Sequence, residues 1–233
     1  FRSPIMLILI DKILDYTYDI VVAIAMIYSI YLWVKKGYTA KQKYFFLYLV
    51  AVFIVDVLGL VFIRKAFKIH QTYLFFPFII FSILYFRYFY IQDYKTKKDH
   101  YFLNAIAAIS IGMSLYFQFS IGFPKFNNNV FLMMILFFLL ASLQWFLYII
   151  RFVDEQNITV KQSFWVSFAL LFWSIFALFR MYLGTWLYNY NQDIFNVINF
   201  LFSICNIMMY SFFIKGLRCV DYNVLRTFNS FKK

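Results

Sequence analysis

Residues 196–210 read NVINFLFSICNIMMY. The stretch lies inside a long apolar segment, yet it carries three asparagines and a serine. Asn196, Asn199, Ser203, Asn206 and Tyr210 are spaced by three, four, three and four residues. On a helix they fall within an arc of about 80°. An amide facing lipid would leave its hydrogen bonds unmade. The pattern therefore predicts a buried transmembrane helix with one polar stripe, turned toward protein or a water-filled cavity.

The rest of the chain has the same character. Of its 233 residues, 64% are hydrophobic and 14% are charged, with a mean hydropathy of +0.74. A soluble domain is about 45–50% apolar and about a quarter charged. A helix needs about 20 apolar residues to cross the hydrocarbon layer. Seven segments qualify: 15–34, 44–63, 73–92, 101–120, 130–150, 164–187 and 194–216. Short breaks such as KKGYTAKQK, QDYKTKKDH and NYNQD separate them. The fold class expected is all-α, a polytopic bundle of seven transmembrane helices. Residues 217–233 follow as a basic tail, with apolar residues at 217, 220, 224, 228 and 231 forming one helical face. That pattern predicts a short amphipathic helix on the cytoplasmic leaflet.

Orientation follows from Lys and Arg. One side of the bundle carries fourteen and the other six, with Arg87 and Arg180 inside spans. The positive-inside rule places the C-terminus in the cytoplasm and the N-terminus outside. The loop at 64–71, with Arg64, Lys65 and Lys68 on the outer side, runs against the trend. Trp33, Trp145, Trp165 and Trp186 fall near span ends, where indoles anchor at headgroups; Trp173 falls in mid-membrane.

The net charge of +12 is explained by these loops and the tail, so no nucleic-acid partner is expected. Membrane lipid is the expected surrounding. Loops this short hold no output domain, so a signal would have to pass to another membrane or cytoplasmic protein. Cys205 and Cys219 are expected as free thiols. Residues 1–14 lack a small-residue cleavage site and are not read as a signal peptide.

Charged groups inside spans are costly and mark function or partnership. Asp56 lies twelve residues into the second span, about 18 Å deep at the helical rise. Arg180 lies sixteen residues into the sixth, about 24 Å from the cytoplasmic side. Asp19, Asp56, Gln118, Arg180, Asn196 and Asn199 all belong to the outer half, with Asn206 deeper on the stripe. They are the candidate residues of an outward polar pocket, with Asp56 and Arg180 as a candidate ion pair. The rival reading for the stripe is packing glue between helices. For Arg180 it is snorkelling to headgroups, which is also the reading expected for Arg87, about five residues from the cytoplasmic end of the third span.

No GxSxG, HExxH, Walker or dinucleotide-binding motif occurs, so enzymatic chemistry is not expected. The two histidines, His70 and His100, fall in loops on opposite sides. No metal site and no cofactor are expected.

The stretches YFFLYLVAVFIVDVLGL, TYLFFPFIIFSILYFRYF and FNVINFLFSICNIMMYSFFIKGL resemble small seven-span proteins of Bacteroidota without assigned function. The resemblance implies a bacterial inner membrane and service beside signalling proteins. Together these readings lead to a receptor-like or accessory membrane subunit. The alternative is a small-solute or ion transporter or channel using Asp56 as its intramembrane cation or proton site.

Overall fold

The computed structural model describes residues 4–63, 72–122, 125, 127–152 and 157–230, with side chains for all of these but 4–11, 60–63, 72, 185, 189 and 221–230. The basic loop at 64–71, with its His70, and the tail's side chains beyond 220 lie outside the described residues.

The described chain is helical, with no strand among the described residues. In order the helices are α1 (Pro4–Val34), α2 (Phe45–Val52), α3 (Thr72–Ile91), α4 (Lys97–Ile121), α5 (Asn128–Arg151), α6 (Gln162–Tyr190) and α7 (Gln192–Ser230). A π-helical segment, Phe53–Ile63, continues α2. Six helices are long and apolar enough to cross a bilayer; α2 with the first part of the π segment forms a shorter apolar helix, Phe45–Gly59. α7 runs unbroken to Ser230, so the tail continues the last apolar helix instead of starting a separate one.

Local chemistry explains several boundaries. Thr96 caps α4 by accepting from the Asp99 amide at 3.2 Å, while its own hydroxyl donates to the Asp99 carboxylate. Asn127 caps α5 by accepting from the Asn129 amide at 3.0 Å. Gly122, at φ +78°, ends α4 in a conformation that needs no Cβ. Pro77 lies inside α3 without ending it.

Side-by-side packing runs α1–α7–α6–α5–α3–α2 and back to α1, which closes a ring of six elements. α4 stands outside the ring against α3 and α5. It docks through Leu103, Ala107, Ser110, Ser114 and Gln118, a stripe of mostly small residues that permits close approach. At Gly216 a Cβ would sit 3.2 Å from the Gln162 carbonyl oxygen, so glycine lets α7 meet the start of α6. At Gly112, by contrast, nothing lies within 4 Å of where a Cβ would be.

Residues 35–44, 92–96 and 157–161 gather at one end, called here the lysine-rich end. Its interior is not simply solvated. Trp145 is 1% exposed and donates to Asp93 Oδ2 at 2.9 Å, and Tyr148 is buried as well. Trp145 keeps its place near the span end, but the headgroup anchoring expected of it is corrected: its ring is buried and its indole N–H is spent on Asp93. Trp33 and Trp186 are exposed, as an anchoring ring needs to be.

Candidate functional site

Among the described residues two polar regions stand out, and they differ in kind. The first lies at the lysine-rich end. Lys43 uses its three N–H bonds on Asp93 Oδ1 (2.6 Å), Ser163 Oγ (2.8 Å) and the Phe89 carbonyl (3.2 Å), and its ammonium lies 4.2 Å from the centre of the Phe89 ring. Burial pulls the lysine below its usual pKa range, against the opposing pull of the Asp93 carboxylate. Lys43 and Tyr44 both have positive φ, 55° and 56°. Such strain persists where surrounding contacts over-determine it, and here Tyr85 donates to the Lys43 carbonyl at 3.0 Å. Beside this pair, Gln144 donates to Asp99 Oδ1 at 2.6 Å and Arg151 approaches the same oxygen at 3.6 Å. One turn inward, Tyr90 stands between Ser142 and Ser167 at 3.3 and 3.1 Å. A cavity of about 260 Å³ opens beside Asp93, Lys95 and Lys161.

The second region is a chamber of about 170 Å³ on the bundle axis. Every element of the ring contributes to its wall: Tyr18 from α1, Tyr48 from α2, Asp56 from the π segment, Phe78 from α3, Phe138 from α5, Trp173 from α6, and Asn206 and Tyr210 from α7. The Tyr18 hydroxyl donates to Asp56 Oδ2 at 2.7 Å, and the Tyr18 and Tyr210 rings meet edge to face at 5.6 Å. Trp173 donates its indole N–H to Asn206 Oδ1 at 2.6 Å. Asp56 keeps part of its surface open, and no hydrogen bond reaches its Oδ1 among the described residues.

Toward the end away from the lysines, Phe131 and Phe202 form part of both this chamber and a wider vestibule of about 450 Å³. Arg180 lines the vestibule. Its Nε donates to Asn199 Oδ1 at 3.0 Å, and the guanidinium lies 4.5 Å from the centre of the Phe202 ring. Toward the lysines the chamber is closed by aromatic packing. Tyr48 meets Phe86 at 4.7 Å, Phe86 meets Phe138 at 5.0 Å, and Phe45 meets Phe213 at 5.1 Å. Phe45, Phe86 and Phe213 are fully buried.

The candidates from the sequence divide accordingly. Asp56 and Asn206 line the chamber, while Arg180 lines the vestibule with Asn199 bonded to it. Asn196 is exposed. Asp19 is half-buried and lines neither cavity. Gln118 is buried on α4, outside the ring, donating to the Lys125 carbonyl at 2.8 Å. The expected Asp56–Arg180 ion pair is corrected, because Asp56 takes Tyr18 as its partner and Arg180 takes Asn199. Arg87 donates to Asn104 at 2.7 Å, a protein partner where snorkelling was expected.

Sequence reading assigned no site role to Tyr18, Tyr48, Trp173 or Tyr210 beyond Tyr210's place on the stripe. It also missed Lys43 and Asp93, which look like ordinary loop charges. The one available signal was Trp173, an indole in mid-span that needs an acceptor. Among the described residues, no group of His, Cys, Asp and Glu is placed to hold a metal, and both cysteines are free. Comparison of the chain with protein-family models, curated proteins and solved structures gives no match.

Proposed function

We propose that the chain is a seven-span, receptor-like or accessory subunit of a bacterial inner membrane, holding a small ligand in a pocket that opens to the outside. In this reading α2 and its π segment form the seventh span, and the basic continuation of α7 is an amphipathic tail at the cytoplasmic leaflet. The lysine-rich end is cytoplasmic by the positive-inside rule. The observation that carries the reading is the central chamber. Six elements converge on it, its far side meets the vestibule, and an aromatic floor separates it from the lysine-rich end. A site reached from one side and contacted by every ring element suits sensing, because an occupant there biases how all six elements pack. Because the loops between spans are too short to hold an output domain, the change in packing would be passed to a partner chain.

Native mass spectrometry on protein extracted gently from its own membrane tests this reading. The expected spectrum shows the chain with a bound small molecule, alone or with a partner protein. A bare chain, free of both, would remove the proposal. Orientation is tested separately by a Lys95→Cys variant, which an impermeant thiol reagent should label only after the cytoplasmic face is opened.

The transport reading is favoured by one feature, the π-helical segment around Asp56. Such segments occur frequently at functional sites. Conduction would require the Tyr48–Phe86–Phe138 floor to part. Proton or cation flux into liposomes carrying the protein, abolished by Asp56→Asn, would favour transport over sensing.

A further inference from the structure

We propose that the occupant of the chamber is a small organic ammonium ion, seated with its cationic head against Asp56 and its apolar body among the surrounding rings. The assignment rests on reading the chamber as a ligand site.

Among the described residues the chamber wall carries one charged side chain, and it is a carboxylate. Tyr18 satisfies one of its oxygens, leaving the other without a hydrogen bond among the described residues. A buried carboxylate needs a compensating partner, and among the described residues no Lys, Arg or His lines this cavity to provide one. Around Asp56 stand Tyr18, Tyr48, Tyr210 and, across the cavity, Trp173 and Phe138. Aromatic faces attract a desolvated cation, and boxes of such rings recognise ammonium groups. A compact inorganic cation fits this lining poorly, because it prefers several oxygen ligands and most of the wall is carbon. Size sets a second limit. An apolar cavity of about 150 Å³ takes up benzene, so 170 Å³ holds one ring or its aliphatic equivalent. Arg180 sets a third. It lies seven residues from Trp173 along α6, about 10 Å at the helical rise. Its positive charge on the vestibule side opposes a second cationic group there, so the occupant carries one positive charge, at its inner end.

The test uses the whole chain in lipid nanodiscs and three probes of one shape: phenethylammonium, neutral 2-phenylethanol and anionic phenylacetate. Calorimetric titration, corrected with empty nanodiscs, ranks them. Phenethylammonium should bind at least tenfold more tightly than 2-phenylethanol, with phenylacetate weakest. In Asp56→Asn the two strongest should converge, through loss of ammonium affinity with the alcohol unchanged. The ranking on the unaltered chain needs no variant, so a poorly folding substitution does not remove the test. Equal binding of alcohol and ammonium, or a preference that survives Asp56→Asn, would overturn the ammonium assignment and leave the chamber as a ligand site. Binding of none of the three above the empty nanodiscs would overturn both.

Discussion

Asp93 and Asp56 are both carboxylates held within an apolar bundle, and their surroundings are opposite. Asp93 is answered on both oxygens, by the Lys43 ammonium and the Trp145 indole, in a network where the lysine also spends every N–H. Asp56 has one hydrogen bond and a cavity beside it. A closed network ties α3, α5, α6 and the α1–α2 loop into a fixed arrangement. A half-answered carboxylate beside empty space contributes little to that arrangement and is free to meet something else. The contrast teaches that depth alone does not mark a binding site in such a bundle; what matters is which polar atoms remain unmatched.

Substitutions should reproduce the contrast. The largest effect is expected at the closed end. Lys43→Met leaves Asp93 as a mostly buried charge without its cation and should cost about 3 kcal/mol. Thermal or denaturant unfolding in detergent measures this, and Lys43→Met combined with Asp93→Leu should recover much of the loss. A single variant as stable as the parent would break the comparison.

Next comes Gly216→Leu. The added side chain would crowd the Gln162 carbonyl, already 3.2 Å from a hypothetical Cβ, at a cost of about 2 kcal/mol by overpacking. If the same unfolding assay finds no change, the close approach of α7 to α6 is not tight. Trp173→Phe keeps a ring in the chamber wall but removes the bond to Asn206. Side-chain hydrogen bonds between membrane helices average about 0.6 kcal/mol, so the loss should be of that order.

The smallest effect on stability belongs to Asp56→Asn. It removes a charge that lacks a cationic partner among the described residues, and should leave stability within about 0.5 kcal/mol of the parent or slightly above it. A loss as large as that of Lys43→Met would mean that Asp56 is a structural member like Asp93, and the two ends would no longer differ in kind.

Much of the architecture was legible beforehand. Apolar runs separated by charged breaks predicted long helices, and six were found at or near the expected places. The asparagine stripe of α7 was expected to face protein or a water-filled cavity, and two of its amides meet protein partners: Asn199 meets Arg180 and Asn206 meets Trp173. Asn196, at the exposed start of the same stripe, does not. The difference has a simple cause, since helical period says which side chains share a face but not where along the face a neighbour ends. Lys43 and Asp93 were unreadable for a related reason. They are fifty residues apart in adjacent-looking polar loops, and nothing local says that both turn inward.

The sequence by itself determined that this chain is apolar and helical, where its helices break, and which residues on them are polar at depth. These properties follow from hydropathy and a period of 3.6, which are local. Only the tertiary structure decided that α4 stands outside a ring of six elements, that Asp56 pairs with Tyr18 in place of Arg180, and that aromatic rings from every wall of the chamber surround the Asp56 oxygen left without a hydrogen bond among the described residues. Those outcomes depend on which helices become neighbours and how they rotate about their axes, and that is settled by side-chain packing between segments far apart in the chain.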